Sequence, residues 1–383
     1  MHVLYLIDSL VPGGAERSLA EMAPHLVSGG IRLEVATLHE RPGVQADLIR
    51  GGARLHRLDG RGGRIGWIRR TARLIRQLRP DLIHTTLFEA DIAGRVAAMR
   101  CRAPVVSSLV NIAYGPEQHV ALGSAGSARL RAAQLLDGLT ARRVVRFHAI
   151  SAHVGDLMAQ RLRLPPDRVE VVPRGRDPRR LGNRASDRRD RVRAALGVEP
   201  DTPLILAAAR HEHQKGLDVL LGAVPRVLER MPAARIVVAG RTGNQTPLLR
   251  SIVSHLRVEG AVRFIGARDD VPELLCAADV FVSPSRWEGL GSVLLEAMAL
   301  EAPIVASDLP AVREVITDGA TALLVPPEHP EALAASLVNT LADPTGAASR
   351  ARAARARFHG EYTIERIADR MHAFYDHALS TPR

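Results

Sequence analysis

The chain switches period again and again. Short runs of β-branched and aliphatic residues alternate with longer amphipathic stretches, and the series occurs twice. Strand candidates in the first half fall at 3–7, 33–38, 54–58, 82–85, 105–109, 148–150 and 169–172. Amphipathic stretches at 15–27, 65–78, 88–99 and 128–143 lie between most of them. Such alternation predicts strand–helix–strand crossovers and a parallel, doubly wound sheet. A polar, basic stretch bearing Pro and Gly, 173–180, then breaks the pattern and reads as a linker followed by a short helix. Beyond it the alternation restarts, with strands at 204–209, 235–239, 262–265, 280–283, 304–306 and 322–325. The expectation is an α/β protein with two Rossmann-like domains facing each other across a cleft: residues 1–173, residues 174–360, and a C-terminal helix in 361–383 that crosses back to the first domain. In open parallel sheets, ligands bind beyond the carboxyl ends of the strands.

Composition narrows the class. A chain of 383 residues exceeds one ordinary core, and with 46% hydrophobic but only 3% aromatic residues that core must be aliphatic. Cys101 and Cys276 make neither a disulfide framework nor a metal cluster, which fits a cytoplasmic protein. The first apolar run is short and has no basic leader, so it reads as a strand rather than a signal peptide. No stretch reaches the roughly 18 uncharged apolar residues of a membrane span, so a soluble or peripheral protein is expected. The net charge is +11, yet of 52 basic residues only Lys215 is lysine. Two readings of this balance stand: a solvated Arg-rich surface, or an anionic partner.

Three segments carry candidate chemistry. In the run from Ser285 to Ala299, Glu288 and Glu296 stand eight positions apart. The first follows a strand in a Gly-bearing turn and the second lies inside the next helix. Gly289, Leu290, Gly291 and Ser292 form the start of that helix, where exposed amides favour an anion such as a diphosphate. A carboxylate accepts paired hydroxyl hydrogen bonds, as sugars and riboses offer them. In the run from Ala209 to Gly216, Arg210 ends a strand and Lys215 precedes a helix. Two fixed cations there can stabilise charge developing on a leaving diphosphate. Lysine is a compact point charge that arginine does not replace sterically. In the run from Ser9 to Arg17, Gly13, Gly14 and Glu16 sit in a turn between the first strand and the first helix.

These segments resemble the family 4 retaining glycosyltransferases of GT-B fold, the glycosyl transferases group 1. Glu288, Gly289, Leu290, Gly291, Glu296, Ala297, Met298 and Ala299 match that family's Glu, seven residues, Glu motif. The resemblance implies that Glu288 binds donor-sugar hydroxyls near the reacting carbon and that Glu296 holds the ribose. It places Arg210 and Lys215 on the donor diphosphate. It sets the Gly13–Gly14 loop and Glu16 against phosphates and acceptor, and the Val262–Gly266 edge, with Arg263, along the nucleotide base. Asp81-Leu82-Ile83-His84 also matches, so His84 either looks into the cleft or is an internally satisfied histidine. The chain departs from the family at Val110, where many members have histidine, leaving Asn111 as a weak candidate beside the sugar, and at Arg174 and Arg176, where Asn and Val are usual.

The implied activity is transfer of a hexose from a nucleotide-diphosphate sugar to a glycan, glycolipid or small-molecule acceptor, with retention. There is no Asp-x-Asp flanked by apolar residues and no His/Cys cluster, so neither metal nor cofactor is expected. No nucleic-acid motif is present. Two rivals share the scaffold: a nucleotide-sugar epimerase, which needs acid and base carboxylates on both domains, and a non-catalytic peripheral lipid-binding protein. The basic amphipathic stretch 64–78, with Trp67, either lies on anionic lipid at the inner membrane face or packs on its sheet. Residues 123–146 read as a small-residue loop leading into an Arg-bearing helix that walls an acceptor site or docks a lipid headgroup.

Overall fold

The computed structural model describes residues 1–60 and 62–381. They form two units, one of Met1–Asp177 with Ile364–Arg383 and one of Pro178–Thr363. The break falls four residues beyond the expected boundary at 173, and the C-terminal segment belongs to the first unit. Residues 382–383 of that segment lie outside the described residues.

The first unit runs β1 (His2–Ile7), α1 (Gly14–Ser28), β2 (Arg32–Thr37), α2 (Gln45–Arg50), β3 (Arg54–Arg57), α3 (Gly63–Leu78), β4 (Leu82–Thr86), α4 (Phe88–Ala97), β5 (Val105–Leu109), α5 (Pro116–Ala141), β6 (Val144–Ala149), α6 (Ala152–Leu162) and β7 (Val169–Val171). All seven strands are parallel, in the order β3-β2-β1-β4-β5-β6-β7. The central strands β1, β4 and β5 are buried almost throughout, as expected where helices cover both faces of such a sheet. Val3, Leu4, Leu6, Ile7, Leu82 and Ile83 are all fully buried, each stabilising the fold by about 1.5–3 kcal/mol.

The second unit runs α7 (Pro178–Leu181), α8 (Ser186–Leu196), β8 (Leu204–Ala208), α9 (Leu217–Arg230), β9 (Arg235–Ala239), α10 (Thr246–His255), β10 (Val262–Gly266), α11 (Val271–Ala277), β11 (Val280–Ser283), α12 (Ser292–Ala299), β12 (Ile304–Ser307), α13 (Pro310–Arg313), β13 (Leu323–Val325), α14 (Pro330–Ala342) and α15 (Pro344–Glu361). Its six parallel strands lie in the order β10-β9-β8-β11-β12-β13. Leu217, Leu220, Leu221, Val224 and Val227 form the buried stripe of α9 at helical spacing.

One expectation is corrected. The loop foreseen from residue 123 is helix, since α5 starts at Pro116; small residues there are not turn formers when Ala dominates. Ala347, Ala351, Ala354 and Phe358 of α15 are buried in one stripe. The basic helix α3 packs Gly66, Thr71, Leu74 and Ile75 inward, and Trp67 is half-buried with its edge toward His39.

The last helix, α16 (Ile364–Ser380), shows a complete apolar stripe: Ile364, Ile367, Ala368, Met371, Phe374, Tyr375 and Ala378 are buried. It joins the core that α1 and β1 share. A buried polar chain fastens it. The Tyr375 hydroxyl meets His84 Nδ1 at 2.7 Å, and His84 Nε2 meets Ser108 Oγ at 2.6 Å. Ser108 Oγ meets His148 Nδ1 at 2.8 Å, and His148 Nε2 lies 2.8 Å from the Val172 carbonyl.

Burial holds the His148 imidazole down to about 4, from an ordinary value of 6.5. The unfolded chain therefore takes the proton first. The stabilisation is complete above about pH 6.5 and is lost as the pH falls toward 4. In a Trp287→Phe background, where Trp67 reports on the first unit, urea unfolding should lose about 2 kcal/mol more between pH 7 and pH 5 than it does in the His148→Gln variant. Parallel pH profiles would contradict the assignment.

Candidate active site

In the second unit, β8 lies beside β11 and the strand order reverses between them. The loops leaving the carboxyl ends of these two strands therefore form the crevice where a doubly wound sheet takes its ligand. They touch at Gly216. That residue has φ +58°, and a Cβ on it would stand 2.0 Å from the Pro284 carbonyl oxygen, so only glycine fits. The contact is zipped on either side. Arg286 N donates to the Gln214 carbonyl at 2.8 Å, and Gln214 Nε2 donates to the Trp287 carbonyl at 2.9 Å.

Arg286 locks the pair. Its guanidinium makes a two-pronged bond to Asp218, at 2.8 and 2.6 Å. Nη1 also reaches the His213 carbonyl at 2.8 Å, and Nε reaches Glu328 at 2.8 Å. Burial would raise the Asp218 carboxyl, but the Arg286 bonds hold it below its ordinary value. The sequence reading passed over Arg286. The signal was there, an arginine inside the densest motif, but in so Arg-rich a chain it did not stand out.

This frame brings Lys215, Ser285 and Glu288 together. Lys215 Nζ lies 2.5 Å from Glu288 Oε1, and Ser285 Oγ donates to the same oxygen at 2.7 Å. The Glu288 carboxylate is buried, so its Oε1 is held on two donors while Oε2 is left for further donors. Arg210, just past β8, is exposed. The α12 helix begins after Gly291, which sits at φ +80° as its N-cap. Gly289, Gly291 and Ser292 are half-buried, whereas the Leu290 side chain is buried and leaves only its backbone for a ligand. Glu296 is the fifth residue of α12 and is buried.

His211, which the sequence reading left unassigned, is also buried in the loop after β8. Its Nδ1 meets Thr246 Oγ1 at 3.0 Å, its edge faces Phe264, and its Nε2 has no protein partner. Arg263 is a correction. It sits at the amino end of β10, exposed, with Nη1 on the Leu196 carbonyl at 2.8 Å. That is the end of the sheet away from the crevice.

In the first unit, Gly13 caps α1 and Gly14 opens it. A Cβ on Gly14 would stand 2.1 Å from Arg174 Nη1, so the guanidinium lies flat on the loop backbone. Arg174 Nη2 also reaches the Val110 carbonyl, at 3.5 Å. A cation thus stands beside the place where the family's histidine is missing. Glu16 folds back on Gly13 and is buried; burial raises its carboxyl, and Arg174 opposes this. Asn111 is exposed, just past β5. For His84 two readings stood. It is fully buried with both nitrogens hydrogen-bonded, inside the unit, and takes the internally satisfied reading. Burial drives its pKa well below the ordinary value.

Chemically, the second-unit crevice offers two cations, a helix start and an oriented carboxylate. That set suits an anion joined to a polyol. Among the described residues no three His, Cys, Asp or Glu side chains cluster as metal ligands.

Comparison with known proteins gives a consistent picture. Residues 202–343 match the family described as glycosyl transferases group 1, and residues 12–180 match Glycosyltransferase Family 4. The chain is similar to the uncharacterized glycosyltransferase MJ1607 of Methanocaldococcus jannaschii, 29% identical over 69% of this chain and 66% of that one. It is also similar to the D-inositol 3-phosphate glycosyltransferase of Streptomyces bingchenggensis, 29% identical over 69% of this chain and 59% of that one. The matches thus span less than two thirds of the length of either relative. Among solved structures, Anabaena Alr3699/HepE in complex with UDP-glucose superposes with a TM-score of 0.85 at 22% identity, over 98% of this chain and 100% of that one, and so shares the GT-B fold.

If Arg286 holds the two loops together, Arg286→Met should speed amide deuterium exchange across residues 213–216 roughly tenfold, the effect of losing a charge-assisted fork of about 1.5–3 kcal/mol. Arg286→Lys should not restore protection, because an ammonium cannot make the fork. Arg226→Met, at the exposed Arg226–Glu331 pair, should leave that segment unchanged. Unchanged exchange in Arg286→Met would remove Arg286 from this role.

Proposed function

The chain belongs to the family 4 glycosyltransferases, and we propose that it transfers a hexose from a nucleotide-diphosphate sugar to a glycan, glycolipid or small-molecule acceptor, with retention and without a divalent metal. The observation that carries this reading is the convergence of Lys215, Ser285 and Glu288 on one carboxylate oxygen at the strand-order reversal.

In this reading, Lys215 keeps one N–H on Glu288 and turns the others to the diphosphate. Arg210 and the α12 amides take further phosphate oxygens. Glu288 Oε2 accepts sugar hydroxyls and so orients the donor. Glu296 holds the ribose. The bond from the sugar's anomeric carbon to the β-phosphate oxygen breaks, and the nucleoside diphosphate leaves with the electron pair. The acceptor hydroxyl oxygen bonds to the anomeric carbon from the face just vacated, and its proton passes to the departing phosphate. Retention follows from the family resemblance of the two glutamates. Metal independence rests on the cations already placed where charge develops. We place the reaction in the cytoplasm, a reading supported by two unpaired thiols, Cys101 and Cys276.

A thermal-shift screen of UDP, GDP and ADP sugars identifies the donor, and hydrolysis of that donor gives an assay without an acceptor. Lys215→Ala should keep the fold and lose at least tenfold in turnover, since one donor to a developing oxyanion is worth about 2.7–4 kcal/mol. Full turnover in that variant would sink the diphosphate role. Turnover should also persist in EDTA; loss that magnesium or manganese restores would refute metal independence.

A further inference from the structure

The outer side of the second half of α5 carries apolar residues. Part of it is not covered. Leu135 is 75% exposed and Leu139 is 62% exposed, four positions apart on one stripe. Arg131, four positions before Leu135, and Arg142, three after Leu139 and just past the helix end, are both exposed and bracket them. The buried side of this stretch is well defined: Asp137 takes the Arg95 guanidinium at 2.6 Å and the Tyr114 hydroxyl at 2.8 Å. The outward leucines therefore cannot turn in.

Beside the stripe, α5 and the end of α6 enclose a groove of about 570 Å³. Leu135, Leu139, Phe147, Leu162 and Leu164 line it together with Arg131, Arg142, Arg161, Arg163 and Arg168. No carboxylate is among its lining residues. On the other flank, Leu136 lines a small hollow with Arg64, Trp67 and Ile68 of α3 and with Glu89, which pairs with Arg64 at 3.8 Å, and Ile65 of α3 is 65% exposed. Trp67 is half-buried in this contact and is not the outermost group.

We propose that this face of the first unit, centred on Leu135 and Leu139, docks on an anionic lipid bilayer. The charge argues for that occupant. An apolar strip beside a groove lined by guanidinium groups and no acid complements a surface whose phosphates lie just above hydrocarbon. Arginine stems can lie along the leucines while their heads reach the phosphates. No helix of the described residues is long and apolar enough to cross a membrane, so the contact is interfacial. The helix α3 contributes its exposed Ile65 edge rather than its tryptophan.

Co-sedimentation with vesicles of phosphatidylglycerol, and of phosphatidylcholine alone, tests this at low and high salt. Binding should be selective for phosphatidylglycerol and should fall with salt, as screening demands. Leu135→Gln/Leu139→Gln should abolish it. Arg131→Gln/Arg142→Gln should weaken it about tenfold or more, each basic residue near such a surface being worth about a factor of five. All variants are on the surface, and unchanged thermal unfolding checks that they fold. As a second readout, Leu139→Trp in a Trp67→Phe/Trp287→Phe background should shift its emission to the blue when phosphatidylglycerol vesicles are added. Absence of sedimentation at low salt, equal binding by the leucine variant, or no emission shift would overturn the proposal. So would a vesicle-free dimer that the leucine variant dissolves, since a second copy would then cover the face.

Discussion

The close approach of Gly216 to the Pro284 carbonyl is the constraint from which the second-unit site follows. Any side chain at 216 would push the two strand-end loops apart. With glycine there, the backbones hydrogen-bond across the gap, and Arg286 clamps both to α9 through Asp218. Only then does Lys215 reach the Glu288 carboxylate. The chemistry thus depends on backbone proximity first and on charge second. Opposite charges already in mutual contact before a ligand arrives need little reorganisation when a phosphate joins them.

The same economy explains why the second unit was easy to read in the sequence. Its functional residues are close in sequence to strand ends, and the strand–turn–helix order fixes where they lie. Lys215 and Glu288, which the structure brings together, each stood out beside a strand end and in the family resemblance. What could not be read was the hardware behind them. Arg286 looks like any other arginine in a chain with 52 basic residues, and His211 carries no charge pattern. Arg263 failed for a related reason: a strand was correctly expected, but which end of it faces the crevice decides everything, and position 263 lies at the amino end.

The first unit was less legible because its site-like residues are served by distant partners. His84 is 291 positions from Tyr375, which spends one of its nitrogens. No local pattern announces that a C-terminal helix will bury a strand-end histidine. Arg174 likewise lies far along the chain from Gly14 and Val110, yet packs on one and bonds to the other. The α5 helix misled for a different reason. Its small residues resemble a loop, whereas a sequence rich in Ala, Leu, Arg and Gln propagates helix well. The result is a helix whose inner side is fixed by Asp137 and whose outer side is left apolar.

The central claim is that the two loops at the β8–β11 reversal bind the diphosphate and sugar of a nucleotide-sugar donor. A crystal structure with the donor chosen by thermal shift tests it most directly. The account predicts diphosphate oxygens within about 3 Å of Lys215 Nζ and the Arg210 guanidinium, with sugar hydroxyls at a similar distance from Glu288. A donor bound elsewhere, or one whose diphosphate leaves Lys215 paired solely with Glu288, would contradict it.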